Sequence, residues 1–124
     1  MNVVDSSGWL EYFADGANAD FFAPPIQKVT ELVVPTISLY EVFRRVHQQR
    51  GEDSALHAVA TMLQGSVADL DTAMALDAAR LSLDQSLPMA DSIILTVARA
   101  YGATLWTQHA DFGRVEGVRY VEKR

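Results

Sequence analysis

The sequence predicts an α/β fold, with a central parallel sheet of four to five short strands covered by helices on both faces. Three observations carry that expectation. Short apolar runs rich in Val and Leu alternate along the chain with amphipathic segments of helical period, and Gly or Pro punctuates the junctions. A length of 124 residues at 49% hydrophobic content suffices for one compact domain, residues 1–124, with its own core. Right-handed crossovers then fix most of the connectivity.

Met1 to Asp5 reads as the first short strand. Ser6 or Ser7 can cap the helix after it, Trp9, Leu10, Tyr12 and Phe13 supply its apolar face, and Asp15-Gly16 ends it. A short helix over Ala17 to Phe22 is expected to stop at Ala23, because Pro24-Pro25 removes two backbone donors and disfavours helix just before them. Glu31 to Pro35 gives a second strand through Leu32, Val33 and Val34. Thr36 to Arg50 has helical spacing through Ile37, Tyr40, Phe43 and Val46, and Gly51 closes it. Asp53 to Gln64 carries Leu56, Val59, Ala60 and Leu63 on one face and folds back as the second arm of a helical hairpin. Val67 to Leu70 is a third, weaker strand, and Asp71 or Thr72 then opens a helix through Leu76, Ala79, Arg80 and Leu83 that stops near Ser86.

Leu87 to Phe112 is the most informative stretch. Pro88 suits the first turn of a helix, where its missing N–H costs nothing; Ile93, Ile94, Val97, Ala98 and Tyr101 recur at helical spacing, and Gly102 ends the run. Ala103 to Thr107 is a buried strand, so Asp111 falls in the loop leaving its carboxyl end, where open parallel sheets place ligand sites. Val118 to Val121 is a final strand at the sheet edge, followed by the charged tail Glu122-Lys123-Arg124.

Composition excludes several chemistries. Without cysteine there can be no disulfide, thiolate zinc site or cysteine nucleophile. His47, His57 and His109 lack the i, i+4 pairing or H-E-x-x-H context of a helical zinc site, which leaves carboxylates and a hard ion such as magnesium or manganese. There is no G-x-S-x-G elbow and no P-loop. A net charge of −6 opposes general coating of a phosphate backbone. An enzyme acting on RNA stays open, because bound divalent ions cancel local carboxylate charge and arginines cluster at Arg44, Arg45 and Arg50. The chain enters MNVVD directly, and Arg99 interrupts the apolar stretch near Ile94, so neither export nor a membrane partner is expected and the cytoplasm is the expected location.

Four carboxylates stand at element ends: Asp5, Glu41, Asp91 and Asp111. Each alone can be a capping group. Asp5 can cap the first helix, Ser38-Leu39-Tyr40-Glu41 matches the S-x-x-E capping box, Asp91 complements a helix dipole, and Asp111 can cap a last turn. Capping gives no reason for all four to gather on one side of a sheet. Two carboxylates about 4 Å apart repel by roughly 4 kcal/mol at an effective dielectric near 20, so such a cluster either holds protons or binds a cation. A magnesium ion there can bind a phosphodiester oxygen, acidify a water for in-line attack and stabilise the leaving oxygen. Ser7 and Thr107 can orient a carboxylate or hold waters, and equally can cap or form turns. Arg44, one turn after Glu41, can meet a phosphate or form an i, i+3 ion pair. Trp9, Phe13, Tyr40 and Phe43 are assigned to packing.

The segments VVDSSGWLEYF, PTISLYEVFRR and LPMADSIILTVARAYGATLWTQHADF resemble the PIN domain, and within it the VapC-like toxin ribonucleases of bacterial toxin–antitoxin pairs. The resemblance spans essentially the whole chain in order. It implies a PIN-like three-layer α/β/α fold and an Mg2+- or Mn2+-dependent endoribonuclease. Its catalytic, metal-binding quartet maps onto Asp5, Glu41, Asp91 and Asp111, with Ser7 and Thr107 at hydroxyl positions. It further implies a homodimer, inhibited by an antitoxin whose C-terminal segment lies over the active-site groove. Met89-Ala90 before Asp91 and His109 in the final loop depart from the pattern without removing a ligand. The alternative is a non-catalytic PIN-like protein-binding module, whose carboxylates cap helices while the groove only holds a partner. Haloacid-dehalogenase-like and receiver-like sites fit poorly: the first needs a second Asp where Ser7 stands, the second a lysine that Thr107 to Asp111 lacks.

Overall fold

The computed structural model describes residues 1–124. Its five strands, β1 (Asn2–Val4), β2 (Val33–Pro35), β3 (Ser66–Ala68), β4 (Thr104–Thr107) and β5 (Val118–Tyr120), pair only in parallel. β4 lies between β1 and β5, β2 pairs with β3, and a single bridge from Asn2 to Leu32 joins the two sets. The expected sheet is therefore present with β5 at an edge, but it is thinnest between β1 and β2.

Side-chain alternation along these strands divides the core in two. Val4 and Val34 point into one half with Trp9, Phe22 and Met62, under the helices α1 (Ser6–Phe13), α2 (Ala19–Gln27), α3 (Thr36–Arg50) and α4 (Glu52–Met62). Val3 and Val33 point into the other with Ile94, Leu105 and Phe112, under α5 (Thr72–Gln85) and α6 (Met89–Ala100). The result is the three-layer α/β/α arrangement. Ser92 to Ala98 are all buried, so α6 is enclosed rather than amphipathic, and its expected apolar residue Tyr101 lies exposed just past its end.

Several local expectations are corrected. The cap of α1 is Asp5, whose carboxylate accepts the Gly8 N–H at 2.9 Å, and Ser6 and Ser7 are already helical. α2 continues through Pro24 and Pro25 to Gln27. Its carbonyls at Asp20 and Phe21 lose their helical donors, but both residues lie toward solvent while Phe22, Pro25 and Ile26 are buried, and that burial outweighs the loss. α3 matches its expected bounds, yet its inward residues are Ser38, Val42 and Val46. Steps of three residues fall about 60° short of a turn, so the series Ile37, Tyr40, Phe43, Val46 winds round the helix, whereas steps of four stay on one face. α4 turns Ala55, Ala58 and Met62 inward and leaves Leu56 and Leu63 exposed, because small residues let it sit close against α3. α5, capped by Asp71, likewise buries Ala78 and exposes Leu76 and Leu83.

Gly8 fixes the approach of α2 to α1: a Cβ there would stand 2.6 Å from the Phe22 ring and 2.7 Å from Val4. Gly102, at φ +60°, makes the left-handed turn that sends the chain from α6 into β4.

Candidate active site

Parallel strands place the residues at their carboxyl ends along one edge of the sheet. Asp5 comes directly after β1, Glu41 lies in the second turn of α3 after β2, and Asp111 lies in a 3-10 turn (Ala110–Phe112) after β4. Asp91, the third residue of α6, meets them there.

Asp5 is only 2% exposed. Its Oδ1 accepts from Ser7 Oγ at 2.8 Å and from the Gly8 N–H, and its Oδ2 accepts from Thr107 Oγ1 at 2.5 Å. Burial pushes its pKa above the usual carboxylate value, against the hydrogen bonds, chiefly that from Thr107, that pull it down. Ser7 and Thr107 therefore orient this carboxylate, one of the roles the sequence allowed. Glu41 Oε1 accepts from Ser6 Oγ at 2.6 Å. The expected capping box does not form, because α3 begins at Thr36 and Ser38 sits two residues inside it, buried with its hydroxyl unpartnered.

Burial is also the main reason the Asp91 carboxyl is pushed up to about 6; His109 pulls it down, and the charges of Asp5, Asp111 and Glu41 push it further up. His109 Nδ1 lies 3.7 Å from Asp91 Oδ2 and 3.5 Å from Asp111 Oδ2. One ligand atom from each of Asp91, His109 and Asp111 falls within a 4.8 Å group. The structure thus gathers Asp91 and Asp111 into one donor set and keeps Asp5 and Glu41 within electrostatic reach of it. This set fits a divalent cation, since added positive charge offsets the repulsion that raises the Asp91 pKa, and two carboxylates and an imidazole are suitable donors.

Arg44 forms no ion pair with Glu41 and is exposed. It borders an open cavity of about 640 Å3 together with Leu39, Tyr40, Phe43, His47 and Val59. Tyr40 is 64% exposed there, so its assignment to packing is overturned, and Phe43 is half-buried; Trp9 is core as expected. Half-buried Trp106 packs against Phe21, donates Nε1–H to Asn2 and lies under the Arg119 guanidinium. A second cavity, of about 270 Å3, lies beside Ser7 and carries Arg45, Gln49, Arg50 and Lys123.

Three features escaped the sequence reading. Ser6 orients Glu41 across 35 residues of chain, a pairing no local spacing reveals. Asn18 and Gln108 form a buried amide pair at 2.9 Å, and Asn18 also donates to the Glu122 carbonyl. His109 joins the donor set; its signal was its place two residues before Asp111 in the loop after β4.

The PIN domain family model matches residues 3–118. No curated protein matches the chain. Among solved structures, the chain is similar to one from a Klebsiella pneumoniae toxin–antitoxin complex, with 19% identity, TM-score 0.80 and 96% of each chain covered. It is also similar to Mycobacterium tuberculosis VapC20, a sarcin-ricin loop cleaving toxin, with 16% identity, TM-score 0.78 and coverage of 94% and 95%. A chain of the DNA-bound VapBC complex of Salmonella typhimurium gives 16% identity, TM-score 0.73 and 98% of each chain. At these identities the likeness is one of fold.

Proposed function

Because this chain belongs to the PIN domain family, we propose that residues 1–124 form a single PIN domain acting as the toxin of a toxin–antitoxin pair, a metal-dependent endoribonuclease that hydrolyses RNA phosphodiester bonds. The observation that carries the reading is Asp91, a half-buried carboxyl held beside Asp111 and raised to about 6 by burial and by its acidic neighbours. A protein that only capped helices with these groups would gain nothing from crowding them.

Asp91 and Asp111 hold the ion, and Asp5 and Glu41 complete the acidic set. When bound, Mg2+ or Mn2+ supplies a water acidic enough to attack phosphorus and positive charge for the departing oxygen. The protein does the positioning. Thr107, Ser7 and the Gly8 N–H lock the Asp5 rotamer, and Ser6 holds Glu41. Arg45, Arg50 and Lys123, in the cavity beside Ser7, give the RNA backbone a local cationic path despite the net charge of −6.

The antitoxin is assigned to the apolar cavity at Leu39, Tyr40, Phe43 and Val59, next in sequence to Glu41, where a bound segment would cover the site. Structural relatives that come from toxin–antitoxin complexes support that assignment. A second copy of the chain is assigned to the α5–α6 face, where Leu83 and Met89 are 84% and 70% exposed. No helix is long and apolar enough to cross a membrane, and a toxin that cleaves RNA acts in the cytoplasm.

The test is induction of the wild type and of Asp91→Asn in a bacterial host, with growth followed and RNA 5′ ends mapped. Growth arrest with new 5′-phosphate ends at one or a few sites, only with the wild type, is the expected result. Two soluble proteins that alter neither growth nor RNA ends would instead favour a binding module.

A further inference from the structure

His109 stands between the two closest carboxylates of the site. Its Nδ1 is 3.5 Å from Asp111 Oδ2 and 3.7 Å from Asp91 Oδ2, both longer than an ordinary N–H···O bond of about 2.9 Å. Those separations approach the spacing of neighbouring ligands on one ion. Donors about 2.1 Å from a common centre stand about 3.0 Å apart in an octahedron and about 3.4 Å apart in a tetrahedron.

The residue is also restrained in a way that a merely solvated histidine does not need. Its N–H donates to Thr107 Oγ1 at 2.9 Å, and that hydroxyl is the one that donates to Asp5. Its ring meets the buried Phe112 edge-on, with centroids 6.3 Å apart. Backbone and imidazole are thus both held, and the ring nitrogen faces two carboxylates.

We propose that His109 is a nitrogen ligand to the ion at Asp91 and Asp111, and that this donor makes the site favour transition-series divalent ions over Mg2+. The inference rests on the metal-dependent reading above. Its chemical basis is ligand softness. Mg2+ takes oxygen donors in near-ideal octahedral geometry and gives up water reluctantly, whereas first-row transition ions accept imidazole. An all-carboxylate site has no such preference built in.

Mn2+ is the probe, added to the chelator-stripped full chain. Pulsed electron paramagnetic resonance reads any coupling to an imidazole nitrogen, and calorimetry reads affinity for Mn2+ and for Mg2+. The expected result is nitrogen coupling in the wild type that is absent in His109→Ala, with Mn2+ affinity about tenfold weaker and Mg2+ affinity changed by less than about twofold. Wild-type protein that binds Mn2+ without nitrogen coupling overturns the His109 assignment and leaves the metal-dependent reading standing. Wild-type protein that binds neither ion overturns both. His109→Gln serves in place of the alanine variant should that variant not fold, and the wild-type spectrum decides by itself.

Discussion

Thr107 Oγ1 donates to Asp5 Oδ2 at 2.5 Å, tying the end of β4 to the end of β1 across 102 residues of chain. The same oxygen accepts the His109 N–H at 2.9 Å. One buried hydroxyl therefore sets both a carboxylate and the loop that carries His109 and Asp111.

Thr107→Val keeps the shape and removes the hydroxyl, leaving a buried carboxylate one donor short and the His109 N–H without its acceptor. The expected cost is about 1–3 kcal/mol in denaturant unfolding, with reduced cleavage. Thr107→Ser restores both.

Asp91→Asn is expected to stabilise the metal-free protein at neutral pH. The folded pKa of Asp91, about 6, lies above its ordinary value of 3.8, so the folded state holds the proton more tightly than the unfolded chain. Wild-type stability from this group is greatest below about pH 4 and falls as pH rises to about 6; the buried Asp5 carboxyl, also raised, adds a loss of the same sign. The asparagine variant escapes the Asp91 share. Its advantage in thermal melts should be absent near pH 3.5 and reach about 1–3 kcal/mol at pH 7. Divalent ions should raise the wild-type midpoint at pH 7 and barely move that of the variant.

Ser38→Ala separates two accounts of α3. A capping box at Ser38 predicts a loss of about 0.5–2 kcal/mol, whereas a buried hydroxyl with no partner predicts a neutral or stabilising change. The structure requires the second outcome in a chemical unfolding titration.

Gly8→Ala forces a methyl against the Phe22 ring and Val4, both inside the core. A destabilisation of about 1–3 kcal/mol is expected in the same titration, larger than the small gain alanine normally brings to a helix.

The fold was legible where signals were local. Thr36 to Arg50 was bounded by Pro35 and Gly51, and five short apolar runs marked five strands. The four acids were legible because parallel strands bring the residues at their carboxyl ends to one edge. The unread features depended on contacts between distant segments. Burial of Phe22 and Ile26 carries α2 through two prolines that argue for a stop. Leucines on α4 and α5 suggested inward faces, yet the close packing of α3 and α4 selected Ala55 and Ala58 and left the leucines outside. Ser6 reaches Glu41, and Asn18 reaches Gln108, only after the sheet has assembled.

The central claim is that Asp91 helps hold a divalent ion on which RNA cleavage depends. Its most direct test is cleavage of RNA by the purified wild type and by Asp91→Asn, each with Mn2+ and with excess chelator. The account predicts cleavage by the wild type with Mn2+, none with chelator, and a loss of at least about a hundredfold in a variant that remains folded by circular dichroism. Cleavage by Asp91→Asn within a few-fold of the wild type, or wild-type cleavage that persists in chelator, would contradict it.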